Sequence, residues 1–257
     1  MDVRIDRVDE LATVLEGIDR APLAALVLVQ LLRRSEGLPV YDGLVAESLA
    51  YSTLQSGPEF AEWLGRRPAP KRRPPEAGPA LRVEREGRQL RITFDRPARR
   101  NAFSAAMRDA LVEALEVAVS DPSVEEVVLA GAGPAFCSGG DLDEFGTLPD
   151  PATAHAVRST RNAARLLAAC SERTRAEVHG ACVGAGVELP AFAARLVARD
   201  DATFQLPELA MGLVPGAGGT VSVPRRVGRQ RAAWLALSGE RIDAHTALAW
   251  GLVDEIL

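Results

Sequence analysis

Lysine is nearly missing from this chain. Of its 30 basic residues only Lys71 is a lysine and the rest are arginine, a compositional bias rather than a functional signal. Cysteine is scarce too. Cys137, Cys170 and Cys182 are odd in number and lack paired metal-ligand spacing, which argues against a disulfide framework and for a reducing compartment. Long apolar runs are absent: the longest, Ala21 to Leu32, has about twelve residues and contains Gln30, against the roughly 20 that a spanning helix needs. The opening segment, Met1 to Arg7, is charged and has no apolar signal core, so export is not expected and a cytoplasmic location is. An excess of positive charge is also lacking. The net charge of −5 argues against nonspecific nucleic-acid binding, and no internal repeat of fixed period is present. What remains is ordinary soluble composition, 47% hydrophobic and 25% charged, which excludes general disorder. A length of 257 residues suits one large α/β domain, or one domain with an appendage.

The clearest punctuation falls at residues 66–79, with five prolines and five basic residues in fourteen positions. Such a run forms neither a helix interior nor a central strand and reads as an extended linker. It divides the chain into an N-terminal helical extension (1–65), the linker (66–79) and a core (80–257). In the extension, Leu23, Leu26, Val27, Gln30 and Leu31 fall on helical spacing, as do Leu44, Glu47, Ser48 and Tyr51. The Ser56-Gly57-Pro58-Glu59 turn opens a short helix carrying Phe60, Trp63 and Leu64. In the core, Leu81–Arg85 and Gln89–Phe94 alternate with period two around a Glu86-Gly87 turn and predict a hairpin. Ser104 caps a helix to about Val119, Val127–Ala130 is a buried strand, Pro151 opens a helix to about Ala169, and Ala176–His179 is a further strand. Strands alternating with helices, with glycine loops at strand ends, predict an α/β domain with its site at those ends.

Two glycine loops carry the chemistry: Ala135-Phe-Cys-Ser-Gly139-Gly140-Asp141-Leu142, and Gly180-Ala-Cys-Val-Gly184-Ala185-Gly186-Val-Glu188. Neither continues into a P-loop, and neither has the full glycine spacing of a dinucleotide fingerprint. Two such loops can each supply one N–H to a single oxygen, the arrangement that stabilises an oxyanion. Gly140 and Ala185 are the natural donors. Glu188 and Glu208 stand in predicted first turns, where an acid offsets the helix dipole by about 0.3–1 kcal/mol. Placed in one cleft with the donors, they could instead divide general-base and general-acid work.

These residues carry a resemblance. Ala135–Leu142, His179–Glu188 and Phe204–Gly219 resemble, in order, the three signature segments of the crotonase (enoyl-CoA hydratase/isomerase) family. Arg96–Ser104 resembles its early motif and Ala249–Glu255 a late one, so the likeness runs from about Leu81 to Leu257. The resemblance implies a spiral of ββα units, an acyl-CoA substrate, and an oxyanion hole from the Gly140 and Ala185 amides. It implies no metal or redox cofactor, coenzyme A being part of the substrate, and a homo-oligomer, trimer or hexamer. It places Arg100, Ala102, Ser138, Asp141 and Leu142 near the CoA, mostly through main-chain contacts, and maps both hydratase glutamates onto Glu188 and Glu208. On that mechanism Glu188 activates a water for attack at the β-carbon, and Glu208 supplies a proton at the α-carbon.

The expected activity is therefore hydration of a 2-enoyl-CoA. The alternatives are a double-bond isomerase or thioester hydrolase of the same family, or a catalytically silent partner in a mixed oligomer. Three features depart from the pattern: His179 stands where the family usually has asparagine, Ala194 stands where it often has aspartate, and the family's C-terminal helical cap is not expected here. The helices preceding Gly65 are expected to cover the CoA cleft in its place. His179 is expected to be structural, Cys137 and Cys182 to be buried and inert, and His155, Arg158 and Arg161 to form a solvated helix face.

Overall fold

The computed structural model describes residues 2–68 and 78–257. Four helices lead, and their starts follow local chemistry. α1 (Val8–Arg20) has Asp9 and Glu10 in its first turn, and α2 (Pro22–Ser35) opens on a proline. α3 spans Val40–Gln55, and α4 (Pro58–Arg66) again opens on a proline, whose fixed φ suits the first helical position. Glu59 of α4 accepts from the amides of Leu23 (2.7 Å) and Ala24 (3.0 Å), so one helix satisfies the orphan donors of another. On α3 the buried residues include Leu44, Glu47 and Ser48, as their spacing predicts. On α2 the predicted face is rotated: Ala24, Ala25, Leu28, Leu31 and Leu32 are buried, whereas Leu23 and Leu26 are 44% and 55% exposed. Its first eight residues are all apolar, so periodicity cannot select a side there, and small Ala24 and Ala25 let neighbouring backbone approach. Residues 69–77, most of the proposed linker, lie outside the described residues.

The core begins with the predicted hairpin, β1 (Leu81–Glu86) antiparallel to β2 (Gln89–Phe94), with Leu81 opposite Phe94. Ser104 accepts from the Met107 amide (3.2 Å) and starts α5 (Ala105–Ser120), which leads to β3 (Glu126–Gly131). The single helix expected from Pro151 is two helices, α6 (Pro151–Thr160) and α7 (Ala163–Ala169). Asn162 breaks the run, because its side-chain oxygen accepts from the Arg165 amide (2.9 Å) and caps a new helix. Next come β4 (Thr174–Val178), β5 (Ala181–Val183), α8 (Ala185–Glu188), β6 (Arg195–Ala198) and β7 (Thr203–Gln205). The described chain closes with α9 (Gly219–Val227), α10 (Arg229–Ser238), β8 (Ile242–Asp243), α11 (Ala244–Trp250) and β9 (Glu255–Ile256).

One sheet has the order β1-β2-β3-β4-β6-β9, and all its neighbours after the hairpin are parallel. A second, smaller sheet has the order β5-β7-β8. Phe94, Phe136 and Phe204 are fully buried, the first two with ring centroids 5.3 Å apart, so large side chains fill the interior. The N-terminal helices pack on this core: α1 on α10, α2 on α9 and α10, and α3 on α6, α7 and α9. No described helix is long and apolar enough to cross a membrane.

Candidate active site

The ends of β3 and β5 deliver the two glycine loops to one place. Backbone bonds join them, Cys137 donating to the Ala181 carbonyl (3.2 Å) and Val183 to the Cys137 carbonyl (2.9 Å). Beyond β5 the chain turns at Gly184, whose φ of +50° is open to glycine at little cost. A Cβ there would lie 2.5 Å from Oε1 of Glu208, so glycine serves both the turn and the carboxylate. The first loop is held from its other side, with Phe103 donating to the Gly139 carbonyl (2.7 Å) and Asp141 to the Phe103 carbonyl (3.1 Å). Among the described residues the amides of Gly140 and Ala185 donate no hydrogen bond. Both residues line a cavity of about 680 Å³, and so do Glu188 and Glu208. All four residues singled out in the sequence for chemistry thus meet at one void.

The two glutamates, both buried, have different surroundings. Oε2 of Glu188 accepts from the amides of Ala217 (2.7 Å) and Gly219 (2.8 Å), at the N-terminus of α9, where the helix dipole favours negative charge. Its Oε1 carries no hydrogen bond among the described residues. Burial pushes the Glu188 carboxyl well above its ordinary range, the neighbouring Glu208 and Glu47 add to that, and the two amides oppose it. Glu208 stands in a 3-10 turn, Glu208–Met211, and its Oε2 is buried without a partner among the described residues. Burial pushes this carboxyl up to about 8, which favours its protonated form. One acid is set among donors and the other is left dry.

The cavity also takes in Asp141, whose carboxylate is paired with Arg99 (3.0 Å) and accepts from the Asp143 amide (3.1 Å). Arg100, Ala102, Ser138 and Leu142 lie outside its lining, on the paired backbone beside it, where the Ser138 amide donates to the Arg100 carbonyl (3.0 Å). Among the lining residues not assigned to the site from sequence are Glu47 and Tyr51 of α3, and Arg158 of α6. Arg158 lies over the Tyr51 ring, 4.6 Å from its centroid, and donates to Ser48 Oγ (3.1 Å), Ser52 Oγ and Gln55 Oε1 (3.1 Å). His155 Nδ1 meets Ser48 Oγ at 2.9 Å. The expected solvated face of His155, Arg158 and Arg161 is therefore corrected: the first two face α3, and only Arg161 is exposed.

His179 bonds the Gly133 carbonyl (2.9 Å), a contact within the loop framework. Cys137 and Cys182 are buried, and burial holds the thiols up, Cys137 to about 12 and Cys182 well above its ordinary value. Neither is an activated nucleophile. Among the described residues no group of three or more His, Cys, Asp or Glu side chains is arranged to hold a metal ion.

A family profile described as enoyl-CoA hydratase/isomerase matches residues 84–257. Among curated proteins, the chain is 39% identical over 176 residues to the 2,3-dehydroadipyl-CoA hydratase of Escherichia coli, covering 68% of each. It is 33% identical over 172 residues to the 1,2-epoxyphenylacetyl-CoA isomerase of the same organism, covering 65% of this chain and 66% of that one. These matches span about two thirds of the relatives' own length. Among solved structures, an enoyl-CoA hydratase from Thermoplasma volcanium aligns with a TM-score of 0.65 at 33% identity, over 70% of this chain and 72% of that one. The profile match begins after the four N-terminal helices.

Proposed function

The chain belongs to the enoyl-CoA hydratase/isomerase family, and from that premise we propose that it hydrates 2-enoyl-CoA thioesters with Glu188 and Glu208 as its catalytic acids. The observation that carries this reading is the meeting of two differently held carboxylates and two undonated amides at one cavity. The thioester oxygen accepts from the Gly140 and Ala185 amides, which stabilise the charge that develops there, a donor of this kind being worth about 2.7–4 kcal/mol. In this reading the two α9 amides hold Glu188 charged against the burial that raises its carboxyl, and it takes a proton from water through its unbonded Oε1. The hydroxyl bonds to the β-carbon, and the double-bond electrons move onto the thioester oxygen as an enolate. Glu208, protonated, gives its proton to the α-carbon as the enolate collapses. One water has then been added across the double bond, and return of the proton from Glu188 to Glu208 closes the cycle.

Arg100, Ala102, Ser138, Asp141 and Leu142 border the CoA in this reading, through backbone groups beside the cavity. Double-bond isomerisation, the alternative within the family, needs only one acid to move a proton between carbons and leaves the second carboxylate without a task.

The test is incubation with crotonyl-CoA and with a long-chain enoyl-CoA, following loss of the conjugated thioester absorbance. Glu188→Gln and Glu208→Gln should each lower kcat by about 10²–10⁴-fold with acyl-CoA affinity nearly kept. If only one substitution impairs hydration, the two-acid mechanism is wrong. Binding of acyl-CoA without turnover by the wild-type chain removes the hydratase reading.

A further inference from the structure

Four consecutive amides at the start of α9 are shared between two carboxylates from distant parts of the chain. Ala217 and Gly219 donate to Glu188. Between them, Gly218 donates to Oε1 of Glu47 (2.7 Å) and Thr220 to Oε2 of Glu47 (2.9 Å), which also accepts from the Thr220 hydroxyl (2.7 Å). Glu47 is 3% exposed, comes from α3, and lies outside the residues matched by the family profile. A carboxylate is rarely buried so fully unless it is held. Every group that bonds it here is a donor, the setting that favours its charged form.

Resting on the hydratase reading of Glu188, we propose that Glu47 is a positioning residue for this site: it clamps the 217–220 turn that holds Glu188 and sets a second negative charge beside it. The clamp acts on geometry, because Gly218 and Thr220 cannot move without dragging the two amides that aim Glu188. The charge acts on ionisation, because two buried carboxylates on one turn repel.

The groups facing this pair are few. Tyr51 stands one turn along α3, Arg158 faces Glu47 from α6 with His155 one hydrogen bond behind it, Glu208 approaches from its 3-10 turn, and Cys137 lies in the first loop. Arg158 favours the charged form of Glu47, while burial holds its carboxyl up to about 7. The donors and Arg158 thus oppose burial at Glu47, and its charge raises the carboxyl of Glu188.

The experiment reads the ionisation of Glu188 directly. The full-length chain is labelled with carbon-13 at glutamate side-chain carboxyls, the Glu188 signal is assigned by its loss in Glu188→Gln, and its titration is followed. In Glu47→Gln the Glu188 midpoint should fall by on the order of one pH unit, and the acid limb of kcat/KM for crotonyl-CoA should move down with it. Glu47→Asp keeps the charge but shortens the reach, so its pH limb should stay near wild type while kcat drops by up to about 10²-fold. Thr220→Val removes only the hydroxyl donor, weakens the charged form of Glu47, and should lower the Glu188 midpoint less than Glu47→Gln does. If Glu47→Gln does not fold, Thr220→Val decides. An unmoved Glu188 midpoint in the folded variants overturns the proposal, even where hydration proceeds. A moved midpoint in a chain that hydrates no enoyl-CoA leaves the proposal standing and removes the hydratase reading.

Discussion

Replacing Glu208 by glutamine should change how the stability of the protein depends on pH. The folded chain holds this carboxyl at about 8, against an ordinary value of 4.5, because burial penalises its charged form and its Oε2 has no partner among the described residues. Between those two values the folded chain keeps a proton that the unfolded chain has released, so folding grows less favourable as pH rises through that window. Each pH unit of that difference costs about 1.36 kcal/mol. From pH 5 to pH 7 the wild-type chain should therefore lose about 2–3 kcal/mol that Glu208→Gln keeps. The glutamine amide brings its own cost, about 1–3 kcal/mol for a buried donor without an acceptor, but that cost does not depend on pH and cancels in the comparison. Urea unfolding of both proteins at pH 5, 6 and 7 measures the quantity, as the change with pH in the difference between their unfolding free energies. Parallel curves would mean that Glu208 is ionised in the folded state at neutral pH, and its role as proton donor to the α-carbon would fall with that result.

Three further outcomes follow from the site. Ala185→Pro deletes one amide donor and should lower kcat by about 10²–10³-fold, whereas Ala185→Gly should stay near wild type; full activity in a proline variant shown to be folded by circular dichroism removes this amide from the oxyanion site. Gly184→Ala places a methyl where Glu208 Oε1 lies, 2.5 Å from the ideal Cβ, at a backbone φ of +50°, and should lower kcat by at least about 10²-fold in a steady-state assay. The three cysteines, all buried, should react with a thiol reagent at neutral pH only after denaturant is added, and rapid labelling of the native protein would contradict their placement.

The parts of this fold that were legible in the sequence are those fixed by near neighbours. Ser104 capping α5 and the β1–β2 alternation each depend on a few adjacent residues, and so does Pro58 opening α4. The meeting of Gly140, Ala185, Glu188 and Glu208 was legible for another reason: glycine loops at strand ends and acids beside them follow a family pattern. Other features were hidden by physics rather than by rarity. The break at Asn162 turns on one side chain competing with the helix for an amide, which composition does not reveal. The buried face of α2 is masked because its first two turns are apolar on every side. Glu47 shares the helical spacing of Leu44 and Ser48, but that spacing does not reveal its partners, which stand 171 and 173 residues away.

That last separation bears on how the protein is made. Helix α3 leaves the ribosome well before the amides that donate to Glu47 are synthesised. At a pace of about 5–20 residues per second, the 171 residues between Glu47 and Gly218 take roughly 10–35 s. Through that interval Ala24, Leu28 and Leu44, buried in the finished protein, wait without the α9 and α10 surfaces on which α2 and α3 settle. Contacts of such range are slow to close, and a chain holding apolar helices open for that time offers a binding surface to chaperones, or to a second nascent copy of itself.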